Sequence, residues 1–175
     1  MRNETVRSII RAYDDPVVRA AAVVLFAATA LVLGVKGVQA MDAPWIDDKA
    51  HRVAALARDL APRVPPGATV QVMDTTAGGV HALLRLGVRQ PTRFIYDFHF
   101  FHHVADARIQ ALRAEFLRGL ERGRPAAVVV MRETWPRPGY ERLEAFPALR
   151  DLLARDYVLA VDGDGYRIYA KRSGS

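Results

Sequence analysis

Cysteine is absent from the 175-residue chain, which removes disulfides, thiolate nucleophiles and cysteine-bound zinc together. It leaves open which side of a membrane the chain occupies. Serine is nearly as scarce, with Ser8, Ser173 and Ser175 confined to the two ends. No G-x-S-x-G run presents a hydroxyl on a strand-to-helix turn, so nucleophilic catalysis has little to use. The phosphate-cradling spacings G-x-G-x-x-G and G-x-x-x-x-G-K-S/T are missing as well. Lysine is reduced to three residues against 22 arginines. The net charge of +6 has the sign that suits nucleic acid or an anionic membrane surface. The arginines, however, are interleaved with acids, as in RIQALRAEFLRGLERGR. That spacing makes a solvated helix face rather than a stripe that tracks phosphates, and nucleic acid is not an expected partner.

What the chain does have is one long apolar run. Val17–Val38 reads VVRAAAVVLFAATALVLGVKGV and is uncharged from Ala20 to Val35. Arg19 and Lys36 stand at its edges, where long side chains reach lipid headgroups. Its 22 residues make a helix of about 33 Å, enough for a hydrocarbon layer of about 30 Å. Residues 17–38 are therefore expected to be a transmembrane helix or uncleaved signal anchor. The competing reading is a cleavable signal peptide, with Val38-Gln39-Ala40 as a small-x-small site and cleavage after Ala40. The apolar run exceeds the roughly 7–15 residues of a signal core, which favours the anchor. Arg2, Arg7, Arg11 and Arg19 weigh against Lys36, Lys49 and Arg52 after the run. The positive-inside bias then puts residues 1–16 in the cytoplasm and the remainder outside, a single-pass arrangement in the inner (cytoplasmic) membrane with a periplasmic C-terminal domain.

Residues 39–66 are expected to be a juxtamembrane link and helix. Trp45 suits a membrane interface, and Val53, Leu56, Ala57 and Leu60 have the three-and-four spacing of an amphipathic helix. Pro65, Pro66 and Gly67 stop it. In residues 67–175 strands and helices alternate. Strands are expected over 68–74, 92–96 and 126–132, and helices over 77–86, 105–121 and 146–155. A hairpin pairs 157–161 with 166–171 around Asp162-Gly163-Asp164-Gly165. Alternation of this kind predicts an extracytoplasmic three-layer α/β domain: a doubly wound, mainly parallel sheet with a C-terminal antiparallel hairpin, preceded by one transmembrane helix.

Ligands in such sheets bind beyond the C-terminal strand ends, and four features are expected on that edge. DTTAGG follows the first strand; there Asp74 or Thr75 is expected to cap a helix, with the glycines permitting a tight turn. FIYDFHFFHH, residues 94–103, brings five aromatic rings together with Asp97, His99, His102 and His103. His99 and His103 are four apart and of a type that suits zinc, but no H-E-x-x-H pattern is formed. Phe94, Tyr96, Phe98 and Phe100 alternate as a strand would, and an aromatic loop facing a ligand, a bilayer or a membrane partner is the preferred reading. RETWPRPGY holds Arg132, Glu133, Trp135 and Arg137, an arginine–tryptophan set that suits a sugar or a lipid phosphate. The acidic hairpin turn is the fourth feature. Asp74, Asp97, His99, His102, Arg132 and Trp135 are thus the candidate ligand-binding residues; no catalytic residue, metal site or cofactor is assigned.

The order VPPGATVQVMDTTAGGVHALLRLGVRQPTRF, FLRGLERGRPAAVVVMRE, FPALRDLLARDYVLA and YRIYAKR resembles the C-terminal soluble region of bacterial polytopic glycosyltransferases. These use polyprenyl-phosphate sugars and are related to dolichyl-phosphate-mannose protein mannosyltransferases. The resemblance runs from about Asp47 to Arg172. In that family the catalytic acids lie in an early loop between transmembrane helices, and roughly a dozen spans are needed. This chain has one span and no position matching the acidic motif, so the resemblance carries no catalytic residue over. It implies either the tail of a larger enzyme or a stand-alone relative. The expected role is accessory: binding a glycan or lipid-linked sugar, or pairing with a multi-span glycosyltransferase. The alternatives are a small-ligand enzyme built around Asp74, Asp97 and His99, and a plain interaction module.

Overall fold

The computed structural model describes residues 15–41, 44–135 and 138–172. Residues 1–14 of the expected cytoplasmic segment, and Pro136 and Arg137 of the proline-rich loop, lie outside the described residues, as does the Trp45 side chain. The chain divides into two units, Met1–Asp47 and Asp48–Ser175.

The first unit is dominated by helix α1, Pro16–Met41. Its start is set locally: Pro16 enters where a missing N–H costs nothing, and the Asp15 carboxylate accepts the Val17 N–H at 2.8 Å. The segment Pro16–Gln39, 24 residues, is long and apolar enough to cross a membrane. Phe26, Leu25 and Leu33 are exposed along it.

In the second unit the sheet has four strands: β1 (Val70–Met73), β2 (Ala127–Met131), β3 (Tyr157–Gly163) and β4 (Tyr166–Lys171). Their order is β1-β2-β4-β3. β1 and β2 run parallel, with Val70 opposite Ala127 and Met73 opposite Val130. β4 pairs antiparallel with both β2 and β3. The sheet is mixed rather than mainly parallel, because one expected strand does not form. Residues 92–96, TRFIY, lie beside the free edge of β1 without pairing as a strand. The reason is chemical. Pro91 offers no N–H, and side-chain amides take over the edge: the Gln90 Oε1 accepts the Val72 N–H at 2.9 Å, while Gln71 Nε2 donates to Gln90 Oε1 at 2.7 Å and to the Phe94 carbonyl at 3.2 Å. Thr92 donates to Gln71 Oε1 at 2.7 Å. Gln71 is buried, so an unpaired amide there would cost about 1–3 kcal/mol; every polar atom of it is engaged.

Helices cover both faces. β2 is buried throughout, and its alternating side chains separate two apolar clusters. Val128 and Val130 face Phe116 and Leu120 of α4 (Ala107–Gly123) and Leu149, Leu152 and Leu153 of α5 (Pro147–Asp156). Ala127, Val129 and Met131 face Leu56 and Leu60 of α2 (Pro44–Leu60) and Ala82 and Leu83 of α3 (Gly79–Leu86). α4 begins at Asp106, whose carboxylate accepts the Arg108 N–H at 2.7 Å, and the amphipathic spacing read from the sequence holds in α2 and α4.

Candidate functional site

The C-terminal ends of β1 and β2 carry the loops singled out from the sequence. Asp74 follows β1 directly. Its carboxylate accepts the Ala77 N–H at 2.7 Å, the Gly78 N–H at 3.1 Å and the Gly79 N–H at 2.7 Å. A helix N-terminus attracts an anion through its orphan N–H groups and dipole, and here the chain supplies that anion itself. The two glycines are needed. Gly78 sits at φ 103°, in the left-handed region, and a Cβ on Gly79 would fall 2.4 Å from Val72 Cγ1. The expectation of a capped turn holds in substance, with Asp74 rather than Thr75 as the acceptor.

The aromatic run does not behave as the extended loop its alternation predicts. Residues Phe98–Phe101 form a 3-10 turn, which replaces a period of two by a period near three. Phe100 and Phe101 consequently turn into the core, joining Phe94 there, and Phe100 lies 4.7 Å from Phe116 and 5.8 Å from Phe146 by ring centroids. Tyr96 and Ile95 remain exposed, and Phe98, His99 and His102 are half-buried. Only part of the expected greasy surface is therefore outward.

Asp97 is the buried centre of this region. It is 1% exposed, and its N–H donates to the Asp74 carbonyl at 3.0 Å. Its Oδ1 accepts from the Thr75 and Thr134 hydroxyls, each at 3.0 Å. Its Oδ2 faces Arg142 Nη2 at 3.3 Å. Arg142 also donates to the Gly139 carbonyl at 2.6 Å and the Met73 carbonyl at 3.4 Å; its Nε finds no partner among the described residues. Burial pushes the Asp97 carboxyl above the usual carboxylate range, against the opposing pull of Arg142 and of the two hydroxyls. The same burial lowers Arg142, with Asp97 opposing. A guanidinium does not give up its proton in proteins, so the proton at stake in the pair belongs to Asp97.

Above this centre lies Trp135, 58% exposed. Its carbonyl accepts from Thr75 at 3.3 Å, and its ring stands 5.5 Å from His102 and 6.1 Å from Phe98. Three of the four strand-end loops thus meet: Asp74 and Thr75, Asp97 to His102, and Thr134 with Trp135. Arg132 does not join them. It turns to the hairpin, with Asp164 at 3.9 Å from its guanidinium. His99 stacks on Phe98 at 3.7 Å, and His102 lies 4.1 Å from His103. No group of three or more His, Asp or Glu that could hold a metal ion occurs among the described residues. The sequence reading missed Arg142, Thr75 as a bridge, and Thr134. A threonine three residues past a strand and an arginine in a short turn carry no signal until the fold brings them to Asp97.

Comparison with family models, with curated proteins and with solved structures finds no match for this chain.

Proposed function

We propose that the chain is a membrane-anchored extracytoplasmic accessory domain, similar to the C-terminal domain of polyprenyl-phosphate-sugar glycosyltransferases. It works beside a multi-span membrane partner that supplies the catalysis, and it presents its strand-end face to a glycan or lipid-linked sugar. The observation that carries this reading is the combination, in one chain, of an apolar helix of membrane length with an α/β unit whose strand-end loops gather exposed aromatic side chains. In this reading the fold is a reduced form of the doubly wound α/β plan, one crossover strand short. The excess of arginine before the apolar helix supports an extracytoplasmic side for the domain. The enzyme alternative has less to draw on: the Asp74 carboxylate is engaged by three backbone N–H groups, and Asp97 is enclosed with Arg142. An interaction module without a glycan would use the same face for a protein partner alone.

The test is purification of the tagged full chain from its own membranes in mild detergent. The chain should stay with the membrane after an alkaline wash and should bring down a multi-span glycosyltransferase in near-equal amount. Release by the alkaline wash, or recovery of the chain alone, would overturn the proposal.

A further inference from the structure

Tryptophan is highly buried on average, and Trp135 is 58% exposed. The Thr75 hydroxyl lies within hydrogen-bond distance of the Trp135 carbonyl at 3.3 Å, of Thr134 at 2.8 Å and of Asp97 at 3.0 Å, its single proton serving one acceptor at a time, and Asp97 is paired with Arg142. The indole is flanked by the His102 ring, tilted 33° to it, and by Phe98. The result is an exposed apolar plate with an imidazole beside it. A neutral imidazole offers both a donor and an acceptor, and the half-buried His102 stands beside the indole.

The composition of that surface selects among occupants. A phosphate needs cations, and among the described residues the two arginines of this edge face elsewhere: Arg142 is paired with Asp97, and Arg132 lies 3.9 Å from Asp164. An acyl chain gains nothing from an imidazole at its edge. A pyranose ring matches both parts, because one of its faces is lined by C–H groups and its edge carries hydroxyls that donate and accept. Small-ligand sites have this make-up, an apolar wall with a few polar groups that fix orientation.

We propose that the Trp135 indole is a stacking plate for the C–H face of a neutral pyranose ring, with His102 meeting the sugar hydroxyls. The assignment rests on the accessory, glycan-facing reading above and names the residues that would carry it. Phe98 supports the plate from the side, and Thr75 acts as a positioning residue that keeps the Trp135 backbone at the strand end.

The chain has two tryptophans, so Trp45→Phe leaves Trp135 as the sole indole reporter. The full chain carrying this change, in detergent, is titrated with the methyl glycosides of glucose, mannose, galactose and N-acetylglucosamine. At least one should change the Trp135 emission saturably, with a dissociation constant in the millimolar range. His102→Ala in the same background should weaken that binding about tenfold, the loss expected of a contact at the centre of a site. In the chain with Trp45 intact, Trp135→Ala should abolish binding seen by ligand-observed NMR while leaving the unfolding midpoint unchanged. Absence of a response to all four glycosides would overturn the assignment, as would a response that survives Trp135→Ala. A parallel sample in phosphatidylcholine/phosphatidylglycerol vesicles separates the other occupant: emission quenched by brominated lipid, with no sugar response, would make the plate a bilayer contact and also overturn it. If the sugar response fails while the chain still brings down a multi-span transferase, the accessory reading stands and the pyranose assignment alone falls.

Discussion

Nothing in composition separates Arg142 from the other 21 arginines of the chain; its environment does. Its side chain is 0% exposed against the 1% of Asp97, and it reaches carbonyls at the end of β1 and in the loop before it. A buried ion pair is weak evidence for net stability, since desolvation offsets most of the attraction, but removing one partner leaves a charge stranded. Asp97→Ala is therefore expected to cost about 3–5 kcal/mol in urea denaturation. A companion change, Arg142→Met, should make the double variant much less destabilised than the sum of the two singles. A double-mutant cycle with no coupling would show that the pair is incidental. At this scale the sequence was a partial guide. Asp97 and Trp135 stood out because an acid among rings and a tryptophan in a proline-rich loop are unusual. Thr75, Thr134 and Arg142 are ordinary residues made important by convergence, and convergence is not written locally.

Elements were more legible, and the exception has a definite cause. β2 was readable because a short apolar run of this kind is the signature of a strand buried on both faces. α4 was readable because Ile109, Leu112, Phe116 and Leu120 keep helical spacing. TRFIY has the composition of a strand, yet β1 finishes its edge with the Gln90 side chain instead. A side chain imitating a backbone acceptor leaves no periodic trace. Gln90→Ala should strip the Val72 N–H and the buried Gln71 amide of a shared acceptor, for a cost of about 1–3 kcal/mol. Hydrogen exchange at Val72 should accelerate by at least about tenfold while the amides of β2 slow or hold, since tenfold corresponds to about 1.4 kcal/mol of local opening. Equal acceleration across the whole sheet would show instead that the edge is not an independent unit. The aromatic run failed for a related reason: a single 3-10 turn at Phe98–Phe101 reassigns every ring after Asp97.

At the scale of the whole molecule, α/β class and the apolar leader were both evident from the order of patterns, while the mixed sheet was not, since strand direction depends on the missing crossover strand. Two tyrosines tie the second unit together at opposite ends. Tyr157 donates to the Pro125 carbonyl at 3.2 Å, and burial pushes its phenol up to about 12. Tyr166 donates to Asp59 at 2.7 Å and is raised as well, by burial first and then by that hydrogen bond. Both groups keep their protons in the folded chain after an unfolded chain has begun to lose them near pH 10. Their contribution is thus complete below about pH 10 and is lost as pH rises through the folded values, at about 1.4 kcal/mol per pH unit for each tyrosine. Urea midpoints measured on either side of about pH 10 should fall on the alkaline side, and Tyr157→Phe should flatten that fall. A midpoint indifferent to alkali would show that neither phenol is held as described.

The strand order has a consequence in time as well as in space. β2, at the heart of the sheet, takes β1 on one side early in the chain, but its other neighbour is β4, the last strand in chain order. β3 precedes β4 in the chain but joins the sheet only through it. A polypeptide stopped after Gly163 would present β2 with a bare flank and leave β3 with no neighbour at all. The sheet can therefore be closed only once residues 166–171 are available to pair with β2 and β3 together.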